Sequence, residues 1–199
     1  MAQEVYELDI SKGWVIHAGE RIDPFDVIDA LGGRKAVLYL HDMDCRSRYR
    51  PQLDLIQDMS PEVSIWYDGA FRYAEWIIDP LVSGAEMVVL NAAYMRNLDE
   101  YRKVMTLSGN VAVDAASEHE DRITDYARQF TGIDGILRLN NLGYEHFILP
   151  AEDIAHLDNA SLAIPAKVWV RGEMRAMSNK NIVLMGNIKS IEELMVADE

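Results

Sequence analysis

Apolar residues along this chain recur in short runs separated by stretches with helical three-to-four spacing. The runs are Val5–Leu8, Ala36–Leu40, Val63–Tyr67, Glu86–Leu90, Asn110–Val113, Gly135–Leu139, Ala166–Val170 and Ile182–Met185. Their length and their β-branched and aromatic content predict strands. Between them lie amphipathic stretches. Asp23–Leu31 has an acidic start, an early Pro24 and a Gly32-Gly33 stop, the usual punctuation of a helix. Arg50–Met59, Tyr73–Ser83, Leu98–Ser108 and Glu118–Phe130 follow, the last three with Gly84, Gly109 and Gly132 behind them. Strand, then helix, then glycine is the rhythm of right-handed βα units on a parallel sheet.

Eight candidate strands predict one domain, residues 1–199, folded as a (β/α)8 or TIM barrel. The last quarter is short. Ile182 follows Val170 too closely for a full helix, and only Ile191–Ala197 follows the last run. A seventh helix reduced to a turn is one expectation and an open sheet is the other. A shortened end also predicts uncovered apolar surface around Trp169, Ile182 and Leu184, with a homodimer to cover it.

In a parallel barrel the residues just past each strand gather at one face. Here they are acidic: Asp9 after the first run, Asp42 and Asp44 after the second, Asp68 after the third and Asp114 after the fifth. Asp also favours loop starts and helix N-caps, which accounts for any one of them. Asp9 and Asp114 come directly off apolar runs on opposite sides of a ring. Two carboxylates facing each other across a pocket are a base and an acid for proton transfer.

The ordered series Glu7-Leu8-Asp9, His41-Asp42-Met43-Asp44, Trp66-Tyr67-Asp68-Gly69 and Val111-Ala112-Val113-Asp114 resembles the strand ends of the phosphoribosylformimino-aminoimidazole carboxamide ribotide isomerase family of histidine biosynthesis. The likeness runs from about Val5 to Ile136. It implies Asp9 as catalytic base, Asp114 as general acid and an aldose–ketose type rearrangement. It also implies a phosphate group near Gly69, Arg72, Arg171, Gly172, Gly186 and Asn187. The strand ends themselves give Asp42, Asp44, Asp68 and, after Gly135–Leu139, Asn140 as further mouth residues. The chain departs from the family's glycine-rich phosphate loops at Leu90-Asn91-Ala92-Ala93 and at Val170-Arg171-Gly172-Glu173. Those departures imply one phosphate or none, in place of two.

Composition narrows the partners. A net charge of -14 over 199 residues argues against nucleic acid and anionic membrane, so a small-molecule substrate is expected. The same field means that a phosphate needs local help, and Arg46, Arg48 and Arg50 are the one local basic cluster. One cysteine, Cys45, excludes an intrachain disulfide. With no basic n-region at Met1-Ala2-Gln3-Glu4 and no apolar run near the roughly 20 residues that span a bilayer, the expectation is a cytoplasmic protein. No cofactor is expected. The five histidines form no ligand pair, and although Asp42, Asp44 and Asp68 are the oxygens an Mg²⁺ ion would use, no metal is expected. His41 lies beside the mouth, placed to help in proton transfer, with a structural hydrogen-bonded role as the plainer reading. Two functional readings follow: an isomerase-related enzyme working by carboxylate acid–base catalysis on a small phosphorylated or sugar-derived substrate, and a barrel that has lost catalysis and serves as a binding protein.

Overall fold

The computed structural model describes residues 4–116, 127–172 and 178–195. In chain order the elements are β1 (Glu4–Ser11), β2 (Trp14–His17), β3 (Glu20–Ile22), α1 (Pro24–Ala30), β4 (Ala36–Asp42), α2 (Met43–Ser47), α3 (Leu53–Met59) and β5 (Ser64–Asp68). Next come α4 (Ile78–Val82), β6 (Met87–Asn91), α5 (Leu98–Leu107), β7 (Val111–Asp114), α6 (Gly132–Asn140), β8 (His146–Pro150) and α7 (Ala151–Leu157). The chain continues through β9 (Ala166–Arg171), β10 (Ile182–Ser190) and α8 (Ile191–Met195).

Eight of the ten strands form a ring in the order β1-β4-β5-β6-β7-β8-β9-β10, and β10 pairs back onto β1. Every pairing in the ring is parallel. This is the closed (β/α)8 barrel that the strand–helix rhythm predicts, and closure rules out the open sheet. β1 outruns the ring and folds back through the antiparallel strands β2 and β3, which build a wall beside the mouth.

Strand alternation divides the core in two. Side chains pointing inward fill the barrel: Val5, Tyr39, Trp66, Val89, Trp169 and Ile188 are among them, with Trp66 and Trp169 edge to face at 4.7 Å. Those pointing outward, such as Leu38, Leu40, Val88 and Leu149, pack beneath the helices. β4 is buried on both faces, as a strand in a helix-covered parallel barrel must be. Its inward members are Val37, Tyr39 and His41.

The structure corrects the sequence reading in the second half. The sixth strand is His146–Pro150, and Gly135–Leu139 belongs to helix α6. Ile136, Leu139 and Asn140 turn one face of that helix inward, a three-to-four pattern that a five-residue window reads as a strand. The expected helix Glu118–Phe130 lies outside the described residues except for a 3-10 turn at Ala127–Phe130. β10 runs on to Ser190, past the predicted end at Met185. Among the described residues between β9 and β10 there is no helix. Trp169 is 2% exposed, inside the barrel, so it is not part of an uncovered outer face. Val183, at 48%, is the exposed residue there.

Candidate functional site

Alternation carries one inward side chain per strand to the top of the ring. Glu7, His41, Asp68, Asp114 and Arg171 each sit two residues beyond an inward core residue: Val5, Tyr39, Trp66, Ala112 and Trp169. They interlock. Arg171 donates from Nε and Nη2 to Glu7, at 2.9 and 2.8 Å, and from Nη1 and Nη2 to Asp114, at 3.0 and 2.6 Å. Asp114 also accepts from the Tyr39 hydroxyl at 3.3 Å and from the Ala116 N–H at 3.1 Å. His41 lies between Nε2···Glu7 Oε1 at 2.5 Å and Nδ1···Asp68 Oδ2 at 3.3 Å. Asp68 spends its other oxygen on the Ala70 N–H at 2.7 Å.

These contacts set the charges. Burial alone would raise the Glu7 carboxyl, but the hydrogen bonds from His41 and Arg171 outweigh it and hold its pKa at about 2. Burial likewise works against a charged His41, yet its bonds to Asp68 and Glu7 prevail and lift it to about 9. Tyr39 is pushed well above its ordinary value, by burial first and then by the charge of Asp114.

A cavity of about 660 Å³ opens over this layer. Glu7, His41 and Arg171 reach it from the ring, Asp9 from the end of β1, His17 from the hairpin, and Glu192 and Glu193 from α8. Asp9 is exposed, and among the described residues its carboxylate has neither a hydrogen bond nor an ion pair. Asp9 and His41 are register partners on adjacent strands. The two carboxylates expected to face each other therefore differ in kind. Asp9 is free at the cavity, whereas both oxygens of Asp114 are engaged by Arg171 and Asp114 is 3% exposed.

A second recess of about 620 Å³ adjoins the first. It is lined by Arg46, Arg72, Tyr73, Tyr94 and Arg96, together with Ala93 and Met95, and among the described residues no carboxylate lines it. Arg46, on α2, lines both cavities. Arg72 donates to the Arg46 carbonyl at 3.2 Å, and Arg96 donates to the Tyr73 hydroxyl. None of the three guanidiniums is in an ion pair among the described residues. Glu100, whose charge Arg96 feels, already accepts from the Ala74 N–H at 2.8 Å and from Lys103 at 2.9 Å.

Several expected site residues lie elsewhere. Asp42 points outward and serves structure: it caps α2 through the Asp44 and Cys45 N–H groups, and it accepts from Gln52 and from the Tyr67 hydroxyl. Cys45 beside it is buried, and its thiol is pushed up to about 12 by burial and by Asp42. Asp44 ties α2 to the hairpin by accepting from Ser11 and from the Lys12 N–H. Asn140 ends α6, where it holds the Tyr144 and Ile164 carbonyls and the Ala163 and Ile164 N–H groups. The mouth position followed from misreading α6 as a strand. Gly186 and Asn187 pair with Trp169 and Val170 in the middle of β10, so their backbone serves the sheet and not a phosphate loop.

Gly172 takes φ +101 in the turn off β9. Gly69 is dictated by packing, since a Cβ there would lie 2.9 Å from Tyr67 and 3.1 Å from Phe71. Glu173 lies outside the described residues. Among the described residues no group of three His, Cys, Asp or Glu side chains is arranged to hold a metal ion, and no helix is long and apolar enough to cross a membrane.

Sequence reasoning passed over Glu7 and Arg96 and gave His41 a structural role. Glu7 was legible as the inward position two residues before Asp9. Arg96 carried no signal beyond its place after the fourth ring strand. Fold and site together define a (β/α)8 barrel whose mouth carries a neutralising ion-pair layer and an adjoining cationic recess. No protein-family model matches the chain, and a search of curated proteins gives no match either.

Proposed function

We propose that this barrel is an enzyme that rearranges a small sugar-derived substrate carrying one phosphate, by proton transfer at the mouth. The observation that carries this reading is the junction at Arg46 of an acid–base cavity and a recess whose arginines are unpaired among the described residues. Guanidinium groups without carboxylate partners are made for an anion, and phosphate accepts two parallel N–H bonds from one of them. The central cavity is a poor place for the anion. Its one deep guanidinium, Arg171, is spent on Glu7 and Asp114, and Asp9, Glu192 and Glu193 line the rest. The phosphate handle thus belongs to Arg46, Arg72 and Arg96, while the reacting carbons lie over Asp9, which serves as the base. The isomerase-like rearrangement implied by the strand-end resemblance fits this division.

A thermal-shift titration with inorganic phosphate, ribose 5-phosphate and the isomerase family's own substrate tests it. A ligand at 100 times its Kd adds about 2.7 kcal/mol, worth several degrees in a domain of this size. A shift with ribose 5-phosphate that is lost in Arg72→Ala/Arg96→Ala supports the reading. No shift with any phosphorylated compound overturns the substrate class.

A further inference from the structure

The acid that partners Asp9 is not supplied by a carboxylate of the ring. Of the five charged side chains in the mouth layer, Asp68 and Asp114 do not line the cavity; each is about 3% exposed and engaged at both oxygens. Arg171 keeps its proton at any working pH. Glu7 accepts from Arg171 at both of its oxygens, as a carboxylate does, and has no proton to give. His41 remains. Both of its ring nitrogens face carboxylate oxygens, which only accept, so both nitrogens must donate, and an imidazole that donates twice is an imidazolium.

Resting on the functional reading above, we infer that His41 is the catalytic acid of this site, giving its Nε2 proton to a substrate oxygen in the central cavity. Asp68 holds the ring through Nδ1 throughout, and Glu7 guards the Nε2 proton until a substrate oxygen displaces it. For an aldose, Asp9 takes the proton from C2, and that bonding pair forms the C1–C2 double bond. The carbonyl pair moves onto O1, which takes the proton from His41. In the second half neutral His41 takes the proton from the C2 hydroxyl, the C2 carbonyl forms, and Asp9 returns its proton to C1. No oxidant or other reactant is consumed. The charges facing the ring are Glu7 from β1, Asp68 from β5 and, through Glu7, Arg171 from β9, with the Tyr39 ring 4.2 Å away on β4. All of them favour the doubly protonated ring except Arg171, which Glu7 and Asp114 neutralise.

The test is hydrogen exchange at C2 of ribose 5-phosphate in heavy water, followed by proton NMR, with nitrogen-15 shifts of the histidine rings read on the same protein. The expected result is two protonated nitrogens on His41 at neutral pH. A roughly 100-fold or greater loss of exchange is expected in His41→Gln, with the phosphate thermal shift retained. Free imidazole should restore part of the activity of His41→Ala, which an acid role demands and a packing role does not. Exchange that survives His41→Gln, or a His41 ring with one bare nitrogen at neutral pH, overturns this role alone. Wild-type protein that binds ribose 5-phosphate and exchanges nothing defeats the enzyme reading and this role together.

Discussion

The two cavities that meet at Arg46 are built from the same residue types in opposite ways. In the central cavity every deep charge comes from a strand and is met by another strand's charge: Arg171 of β9 by Glu7 of β1 and Asp114 of β7, and His41 of β4 by Glu7 and by Asp68 of β5. In the recess the guanidiniums come from α2 and from the loops after β5 and β6, and among the described residues no carboxylate meets them. Strand positions are fixed by the pleat and are surrounded by neighbours, so a charge placed there must be neutralised within the protein. Loop positions are freer, and charges there are left for a ligand. The central layer ties β1, β4, β5, β7 and β9 to one another, and the recess is the part that the proposed function assigns to a ligand.

Breaking the central layer gives the largest effect. Arg171→Leu takes from Asp114 its cation and leaves Glu7 with His41 alone, and removing one member of a buried pair costs about 3–5 kcal/mol. Urea unfolding should show that loss, while phosphate binding to any protein that remains folded stays intact. A loss of stability under about 1 kcal/mol would mean that the layer is no better than a surface ion pair.

Alkali sharpens the same contrast. His41 holds its proton more tightly folded, at about 9, than unfolded, near 6.5. Its contribution is therefore complete below about pH 6.5 and vanishes as pH rises through about 9, a change on the order of 3 kcal/mol. Denaturation midpoints across that window should fall in wild type and stay flat in His41→Gln. Glu7 moves the other way. Its folded value of about 2 lies below its ordinary range, so its contribution is present above about pH 4.5 and is lost as pH falls towards 2. Because the two groups share one hydrogen bond, their contributions do not add.

Much of this was legible in the sequence. Seven of the eight ring strands follow from runs of β-branched and aromatic residues, and the inward phase of each run places Asp9, Asp68 and Asp114 at the mouth. The sixth strand was missed because His146–Pro150 is framed by a histidine and a proline that mask its apolar centre, while Ile136 and Leu137 in α6 imitate a strand over a short window. The layer itself was not legible. That Arg171 reaches both Glu7 and Asp114 depends on distances across a closed ring, and no spacing along the chain encodes them. Nor does the chain announce that Asp42, beside His41, faces the opposite way. One step of alternation separates a charge of the mouth from a cap beneath the helices.

In the recess the effects are smaller and spare the fold. Arg72→Ala or Arg96→Ala should each weaken phosphate roughly tenfold, about 1.4 kcal/mol, by calorimetric titration, with little change in unfolding. Unchanged affinity in both would place the anion elsewhere. Smallest of all is Asp9→Asn. Free and exposed, Asp9 supports nothing structural, so stability should stay within about 0.5 kcal/mol while ribose 5-phosphate exchange disappears. A destabilised Asp9→Asn would show that this carboxylate belongs to the scaffold.

The seam where β10 meets β1 has a consequence for how the molecule is made. Val5 waits for Ile188, and Glu7 for Ser190. While a ribosome is still producing the residues between, the nascent sheet has two bare edges, at β1 and at whichever strand was last added. Such edges recruit foreign strands, and pairings this distant in sequence form late. The final strand therefore acts as a clasp, and a chain released before Ile182 should aggregate instead of persisting as a seven-stranded sheet.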